Sequence, residues 1–207
     1  MNSQEHLKAI TDIRSMMERS SRFISLSGLS GICAGLFALS GATMAYLKLN
    51  SFDSGSYRSL ERNELMDTIV YLISIAAVVL IFSVTTGILL TVRNSKKKGV
   101  KIWDATVKRL LINLMIPLIT GGLFCLIMLY HGIVGLVAPA TLLFYGLALI
   151  NASKYTLNDV RYLGILEIIL GLIASIYIHN GLLFWAIGFG VLHIIYGTVM
   201  YFKYERN

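Results

Sequence analysis

One acidic side chain lies inside a long apolar run, away from its ends. Glu167 follows Arg161 by six residues, which places it about 9 Å along a helix from the basic end of that run. Gly164, Gly171 and Ala174 recur around it at helical spacing, so the carboxylate shares a face with small residues. An ionisable group inside a membrane is costly and usually pairs, meets water or handles a substrate. Glu167 is therefore the strongest candidate for chemistry in this sequence.

His193 and Tyr196 are the groups that could act with this carboxylate. His193 lies in the last apolar run, on a face that also carries Gly190 and Gly197. A tight turn joins the last two runs, so their small-residue faces could pack together. We therefore expect Glu167 near Tyr196 or within about one helical turn of His193 in depth. A Glu–His or Glu–Tyr pair could hold or relay a proton, which predicts a proton or substrate site at Glu167, His193 and Tyr196.

Structural roles for the same residues compete with this functional interpretation. Glu167 lies close enough to the basic boundary to reach water, and it could also pair with Arg161 one and a half turns earlier. His193 alone could be a packing residue. The sequence contains no zinc-protease, P-loop or serine-hydrolase motif. It therefore gives no support to an enzyme, a catalytic residue, a metal site or a cofactor.

The elements that position these residues are membrane helices. Of the 207 residues, 56% are hydrophobic and 14% are charged, whereas a typical soluble domain has about 25% charged residues. A soluble fold of this length could not bury so much apolar surface. The net charge of +7 comes from basic residues between apolar runs and not from a patch interleaved with aromatic residues, which argues against nucleic acid as a partner.

Six apolar runs are near the length of about 20 residues that spans a bilayer. They cover residues 23–47, 66–92, 110–130, 133–150, 162–178 and 182–202. Two residues separate the third run from the fourth and three separate the fifth from the sixth, so these helices should pair as antiparallel hairpins. The predicted fold is an all-α membrane protein, a six-transmembrane-helix bundle of three antiparallel hairpins, which forms a single domain over residues 23–207.

The distribution of basic residues predicts the orientation in the membrane. Fifteen of the eighteen Lys and Arg residues lie on one side of the predicted bilayer, and the other three are Lys48, Arg58 and Arg62. The positive-inside rule places the side with fifteen charges in the cytoplasm, together with both chain termini. The predicted location is a cell membrane, and in particular a bacterial inner membrane.

Residues 1–22 form a separate predicted element before the first run. Leu7, Ile10, Ile13 and Met17 recur at helical spacing among charged residues, which indicates an amphipathic helix along the cytoplasmic interface. This helix could anchor the first span, or it could dock a cytoplasmic protein partner.

A basic cluster follows the second run. Lys96, Lys97 and Lys98 could contact anionic lipids at the cytoplasmic face, where each lysine contributes about 1 kcal/mol of attraction. They could also act only as a topological stop signal.

Small residues predict where the helices pack, because lipid tails compete equally well for large apolar side chains. The predicted packing glycines are Gly28, Gly31, Gly35, Gly171, Gly190 and Gly197. In the first run, Gly31 and Gly35 form a GxxxG pair. Their face could pack within the bundle or form a homo-oligomer.

Two functions remain open from the sequence. The first is a small-solute or proton-linked transporter that uses the intramembrane carboxylate of Glu167. The second is a non-catalytic membrane anchor or scaffold, or a lipid-binding subunit, that acts through a partner protein. The lipid bilayer is the partner that both interpretations require.

Overall fold

The computed structural model describes residues 26–50, 62–99 and 102–206, which are helical apart from short turns and contain no strand. The helices are α1 (Gly28–Asn50), α2 (Arg62–Lys97), α3 (Ala105–Tyr130), α4 (Val137–Ala152), α5 (Asp159–Ile176), α6 (Gly181–Trp185) and α7 (His193–Tyr204). A π-helical segment, Ala186–Leu192, joins α6 to α7 without a break. We refer to α6, the π-helical segment and α7 together as the last helix. The all-α prediction is confirmed for the described residues.

Five helical segments in the described part of the chain are long and apolar enough to cross a membrane. They are Gly28–Asn50, Met66–Lys97, Ala105–Tyr130, Val134–Tyr155 and Ile178–Tyr204. The protein is therefore a membrane-embedded helical bundle. α5 corresponds to the predicted run 162–178, but three of its eighteen residues are charged: Asp159, Arg161 and Glu167. The crossing by α5, and with it the count of six, stays a prediction.

Local sequence sets where α3 begins and ends. The Asp104 side chain accepts a hydrogen bond from the Val107 backbone N–H at 2.8 Å, which caps the first turn. At the other end Gly132 has a φ of 74°, a left-handed conformation that glycine adopts without strain. The Ile133 N–H then donates back to the Met128 carbonyl at 2.8 Å. The chain thus turns sharply at the glycine before it continues into α4.

The small residues of α1 face the last helix. A Cβ atom on Gly31 would lie 3.0 Å from the Gly197 Cα atom, and one on Gly35 would lie 2.6 Å from the Gly190 carbonyl oxygen. A Cβ atom on Gly197 would lie 2.6 Å from the Gly28 carbonyl oxygen. The two backbones are therefore in direct contact, an approach that residues larger than glycine would prevent.

The small residues of α5 face α4. A Cβ atom on Gly146 would lie 2.6 Å from the Gly164 carbonyl oxygen, and the reverse distance is 2.8 Å. One on Gly171 would lie 3.1 Å from the Pro139 carbonyl oxygen. We expected this face of α5 to pack on the last helix. Instead α1 packs against the glycines of the last helix, and Gly146 on α4 allows the backbone of α5 to approach closely.

These contacts divide the core of the bundle into two helix pairs. We refer to α1 with the last helix as the α1 pair, and to α4 with α5 as the α4 pair. α2 packs against α1, and α3 packs against α4.

α2 leaves most of its apolar side chains exposed. Leu80 is 63% exposed and Leu89 is 64% exposed, whereas Thr68 is buried. In a membrane such side chains are covered by lipid or by another protein. Lys96 and Lys97 are exposed in the last turn of this helix, and their contact with anionic lipid stays a prediction.

Several helix ends meet at the lysine-rich end of the bundle, which we call the basic end. The Lys98 ammonium group donates to the Tyr204 carbonyl at 3.4 Å, and the Asn94 amide donates to the Leu26 carbonyl at 3.4 Å. The end of α2 therefore lies beside the start of α1 and the end of α7.

Two predicted elements involve residues outside the described ranges. The amphipathic helix of residues 1–22 lies wholly outside them, as do residues 51–61 in the loop between α1 and α2. Both interpretations of the N-terminal helix stay predictions.

Candidate functional site

Glu167 lies in the middle of α5 and is completely buried. Its exposed fraction is 0%, and neither carboxylate oxygen has a hydrogen-bond partner among the described residues. The Nδ1 atom of His193 lies 3.5 Å from the Oε1 atom of Glu167. The structure thus brings these two predicted site residues together. The sequence left open that this carboxylate reaches water, and in this arrangement its exposed fraction is 0%.

Both ring nitrogens of His193 have polar neighbours. Nδ1 lies 2.9 Å from the Gly188 carbonyl oxygen, and Nε2 lies 2.8 Å from the Tyr145 hydroxyl oxygen. A carbonyl oxygen can only accept, so a hydrogen bond to Gly188 requires a proton on Nδ1. In the neutral ring Nε2 then accepts from the Tyr145 hydroxyl, and in the doubly protonated ring Nε2 donates to it. A proton gained by His193 would therefore reverse one hydrogen bond.

The π-helical segment Ala186–Leu192 sets this geometry. Its wider turn places the Gly188 carbonyl beside the ring of His193, five residues later. Gly188 also makes room for the carboxylate, because a Cβ atom there would lie 2.5 Å from Oε2 of Glu167 and 2.5 Å from Cδ2 of Leu142. Single π-helical turns are rare in proteins, and those that do occur are frequently located at functional sites.

Aromatic rings surround the imidazole of His193. The Phe189 ring lies 24° from parallel with it, at a centroid distance of 5.9 Å, and the Tyr145 ring lies 30° from parallel at 5.4 Å. Phe189 also contacts Tyr145 at 5.0 Å and Trp185 at 5.1 Å. These contacts pack two aromatic rings directly against the imidazole and a third, Trp185, behind Phe189.

Tyr196 follows His193 by three residues but takes a different position. Its hydroxyl oxygen is buried and has no hydrogen-bond partner within the described ranges. Its ring packs, together with Tyr145, against a buried cluster that includes Leu163 and Met200. The structure therefore shows no hydrogen bond between Tyr196 and Glu167, although the sequence suggested that they would be neighbours.

At the basic end, Asp159 ties α5 to the last helix. The Lys203 ammonium group donates to its carboxylate oxygens at 3.0 and 2.9 Å, and the Tyr204 hydroxyl donates at 2.6 Å. Partial burial alone would raise the pKa of Asp159, but the hydrogen bonds from Tyr204 and Lys203 outweigh burial and hold that pKa below its ordinary value.

A second carboxylate ties the last helix to α1. Glu205 accepts hydrogen bonds from the Ser27 hydroxyl at 3.3 Å and from the Gly28 backbone N–H. A carboxylate here satisfies a free N–H group of the first turn and interacts favourably with the helix dipole. Together with Asp159, it fastens the last helix to both α5 and α1 at the basic end.

Other kinds of site find less support. No group of three side chains that could hold a metal ion occurs in the described part of the chain. A cavity of about 270 Å³ lies between α1 and α2, where its lining includes Phe37, Gly41, Tyr71 and Phe82. None of the residues around Glu167 lines that cavity.

Two members of the site were missed in the sequence. Tyr145 resembles any aromatic residue in an apolar run, and nothing in the local pattern shows that α4 would bring it to His193. The position of Gly188 gave only a weak indication of its role, because it lies two residues before Gly190 and five before His193. We refer to Glu167, His193, Tyr145 and Gly188 together as the buried site.

Comparisons with protein-family models, with curated proteins and with solved structures found no match. The fold and the composition define the class, which is an all-helical, multi-pass membrane protein. Within this class, the buried site is the feature on which a function can be argued.

Proposed function

We propose that the protein transports protons, or a small solute together with protons, and that Glu167 binds and releases the proton inside the membrane. The main support is the complete burial of Glu167, with no hydrogen-bond partner for either carboxylate oxygen among the described residues. His193, 3.5 Å away, is the adjacent group that can exchange a proton with it.

A purely structural role does not account for this burial. Buried carboxylates that stabilise a fold normally have hydrogen-bond donors on both oxygens. An isolated ionised carboxylate in an apolar environment is so unfavourable that the group normally becomes neutral. Ionisable residues at such positions in membrane helices mark proton relays and substrate pathways. Glu167 fits a group that is neutral at rest and loses its proton when the site opens.

The position of the buried site suggests how it would open. Glu167 and Tyr145 belong to the α4 pair, whereas His193 and Gly188 belong to the last helix in the α1 pair. A movement of one pair against the other would separate the carboxylate from the imidazole and admit water. Alternating access in transporters uses rigid-body movements of this kind around a central site.

The proposed topology has six crossings, with α5 as the fifth, and it keeps the three antiparallel hairpins. The basic end would face the cytoplasm, because fifteen of the eighteen Lys and Arg residues fall on that side. Both termini would then be cytoplasmic, and the host membrane would be a cell membrane such as a bacterial inner membrane.

A proton-flux assay in lipid vesicles tests this function. Vesicles with purified protein enclose a pH-sensitive dye, and a potassium diffusion potential drives cations inward. We expect the wild-type protein to acidify the interior faster than protein-free vesicles, and Glu167→Gln to lower the rate to the protein-free level. Glu64→Gln is the matched control, because Glu64 is exposed on α2. Glu167→Gln vesicles that acidify as fast as wild type would contradict the proposal. Wild-type vesicles no faster than protein-free ones would exclude transport of protons alone.

A scaffold that acts through a partner is the second candidate, and α2 supports it. In the most apolar 18-residue stretch of this helix no residue is buried. A partner subunit or a second copy of the chain could cover that surface. This candidate predicts that Leu80→Ser with Leu89→Ser reduces the mass of the complex in mild detergent, while Glu167→Gln leaves it unchanged. An unchanged mass in the double variant would count against it.

A further inference from the structure

A series of tyrosine hydroxyl groups extends from the buried site toward the basic end. Tyr145 contacts His193 through a 2.8 Å hydrogen bond. Tyr196 lies three residues beyond His193 along the last helix, and Tyr204 eight residues further. All three tyrosine rings pack against the same buried apolar cluster. The cluster is therefore a surface that all three tyrosines share, with Tyr145 at the buried site and Tyr204 at the helix end.

We propose that the buried site exchanges its proton with the basic end of the bundle, and that the Tyr196 hydroxyl is the intermediate station on this route. This inference rests on the proposed function and adds the side of the membrane and the path. Tyr145 would connect Tyr196 to His193 and Glu167. Tyr204 and Asp159 would connect Tyr196 to the solvent.

The hydroxyl of Tyr196 is the observation that points to a route. It is buried, and no described residue hydrogen-bonds to it. A buried hydroxyl without a partner is unfavourable, and phenylalanine would fill the same space without that penalty. The hydroxyl is thus better explained by a transient partner than by packing.

The groups that face Tyr196 come from three helices. Tyr145 on α4 and Tyr204 on the last helix pack with Tyr196 against one cluster, to which α5 contributes Val160 and Leu163. Tyr145 contacts His193 of the buried site, and Tyr204 contacts Asp159 at the basic end. Tyr196 therefore shares its packing surroundings with one polar group at each end of the route.

The outer end of the route is connected to solvent. The Tyr204 hydroxyl donates to Asp159 at 2.6 Å, and Lys203, whose side chain is 52% exposed, bonds to the same carboxylate. Tyr196 and Tyr204 are eight positions apart, which corresponds to about 12 Å along the helix and exceeds the length of one hydrogen bond. Water that enters beside Asp159 would complete this part of the path.

The proton transfer conserves charge at each tyrosine. When a proton arrives from the Asp159 side, the Tyr196 oxygen accepts it, and a water molecule that enters between the two hydroxyl groups carries the original hydroxyl proton to the Tyr145 oxygen. Tyr145 in turn gives its own proton to Nε2 of His193. The Nδ1 proton of His193 then moves to Glu167, which becomes a neutral carboxylic acid. His193 keeps a proton on Nε2 only, so its hydrogen bond to the Gly188 carbonyl is lost until Nδ1 regains a proton. Each hydroxyl ends with one proton, so neither tyrosine has to remain ionised.

Time-resolved infrared spectroscopy tests the route on the full-length protein in lipid nanodiscs. A light-activated acid lowers the pH, and the carbonyl stretching band of protonated Glu167 is followed in time, with Glu167→Gln used to assign it. We expect Tyr196→Phe to keep the final amplitude of this band but to slow its rise at least tenfold. Tyr162→Phe should match wild type, because Tyr162 is 65% exposed on α5 and outside the route.

Two results separate the failure of the route from the failure of the site. An unchanged rate in Tyr196→Phe, with the Glu167 band intact, would overturn the route and leave the proposed function standing. Absence of a titrating Glu167 band in wild type would overturn both. If Tyr196→Phe does not fold, Tyr204→Phe tests the outer end of the same path. A slower rise in that variant would support the route, and a wild-type rate would overturn it.

Discussion

A Cβ atom on Gly188 would lie 2.5 Å from the Oε2 atom of Glu167, so the carboxylate occupies the space that a side chain at position 188 would need. This relationship links two helices that otherwise pack on different partners. The π-helical segment supplies the glycine, and α5 supplies the acid. A larger side chain at position 188 should therefore displace the carboxylate of Glu167.

Gly188→Ala should displace the Glu167 carboxylate. We expect a loss of about 1–3 kcal/mol in the free energy of unfolding, as for other overpacked sites, and a lower rate of proton entry into vesicles. Gly122→Ala is the control, since no atom lies within 4 Å of the position that its Cβ would take. Denaturation in mixed micelles measures the first effect. Equal stability of the two variants would show that the site can accommodate the methyl group.

Gly35→Ala should separate α1 from the last helix. Its Cβ would lie 2.6 Å from the Gly190 carbonyl oxygen, and backbone atoms cannot move aside without shifting a whole helix. We expect a clear fall in the thermal unfolding midpoint in detergent. Gly87→Ala, at an open position, should leave the midpoint unchanged or raise it slightly. A Gly35→Ala protein as stable as Gly87→Ala would refute the close contact.

Tyr145→Phe should lower the free energy of unfolding, whereas Tyr196→Phe should not. Tyr145 loses a 2.8 Å hydrogen bond to His193, so we expect a loss of about 1 kcal/mol in the free energy of unfolding. The Tyr196 hydroxyl has no partner among the described residues, and its removal should be neutral or stabilising by about 1 kcal/mol. Both values come from the same micelle denaturation assay. Equal losses in the two variants would mean that Tyr196 has a stabilising partner.

Asp159 should make stability depend on acidic pH. Its pKa in the folded protein is below the ordinary value, since hydrogen bonds from Tyr204 and Lys203 favour the ionised form over the effect of burial. The stabilisation is therefore fully present above the unfolded pKa of about 3.9 and is lost as the pH falls through the lower folded value. Thermal midpoints measured from about pH 7 to about pH 3 should fall more for wild type than for Asp159→Asn. Parallel curves would contradict this role.

The sequence predicted the helices well, but it did not predict which helix packs against the glycine face of α5. Apolar runs of membrane length identify helices directly, because a bilayer leaves few other structures available. The glycines of α1 indicated a packing face, but no local pattern says which helix will occupy it. Gly146 lets α5 pack closely on α4, because it lies directly opposite Gly164 and neither residue has a side chain. This match between the two helices can be seen only when both are in place.

The site was predictable in part for a similar reason. Glu167 stood out because a carboxylate in an apolar run is rare, and His193 followed as a titratable group at similar depth. Tyr145 and the π-helical segment were not predictable, since neither differs in composition from the surrounding helix. The position of the His193 ring depends on that segment, because it brings the Gly188 carbonyl within 2.9 Å of Nδ1.

The protonation of Glu167 is the most direct test of the proposed site. Infrared difference spectra of the protein in nanodiscs, recorded across a pH titration, would follow the carbonyl stretching band of a protonated carboxyl group. We predict a band that appears and disappears reversibly with pH, is absent in Glu167→Gln and is retained in Glu64→Gln. A wild-type protein whose titrating carboxyl bands are all retained in Glu167→Gln would contradict the claim that Glu167 binds and releases a proton.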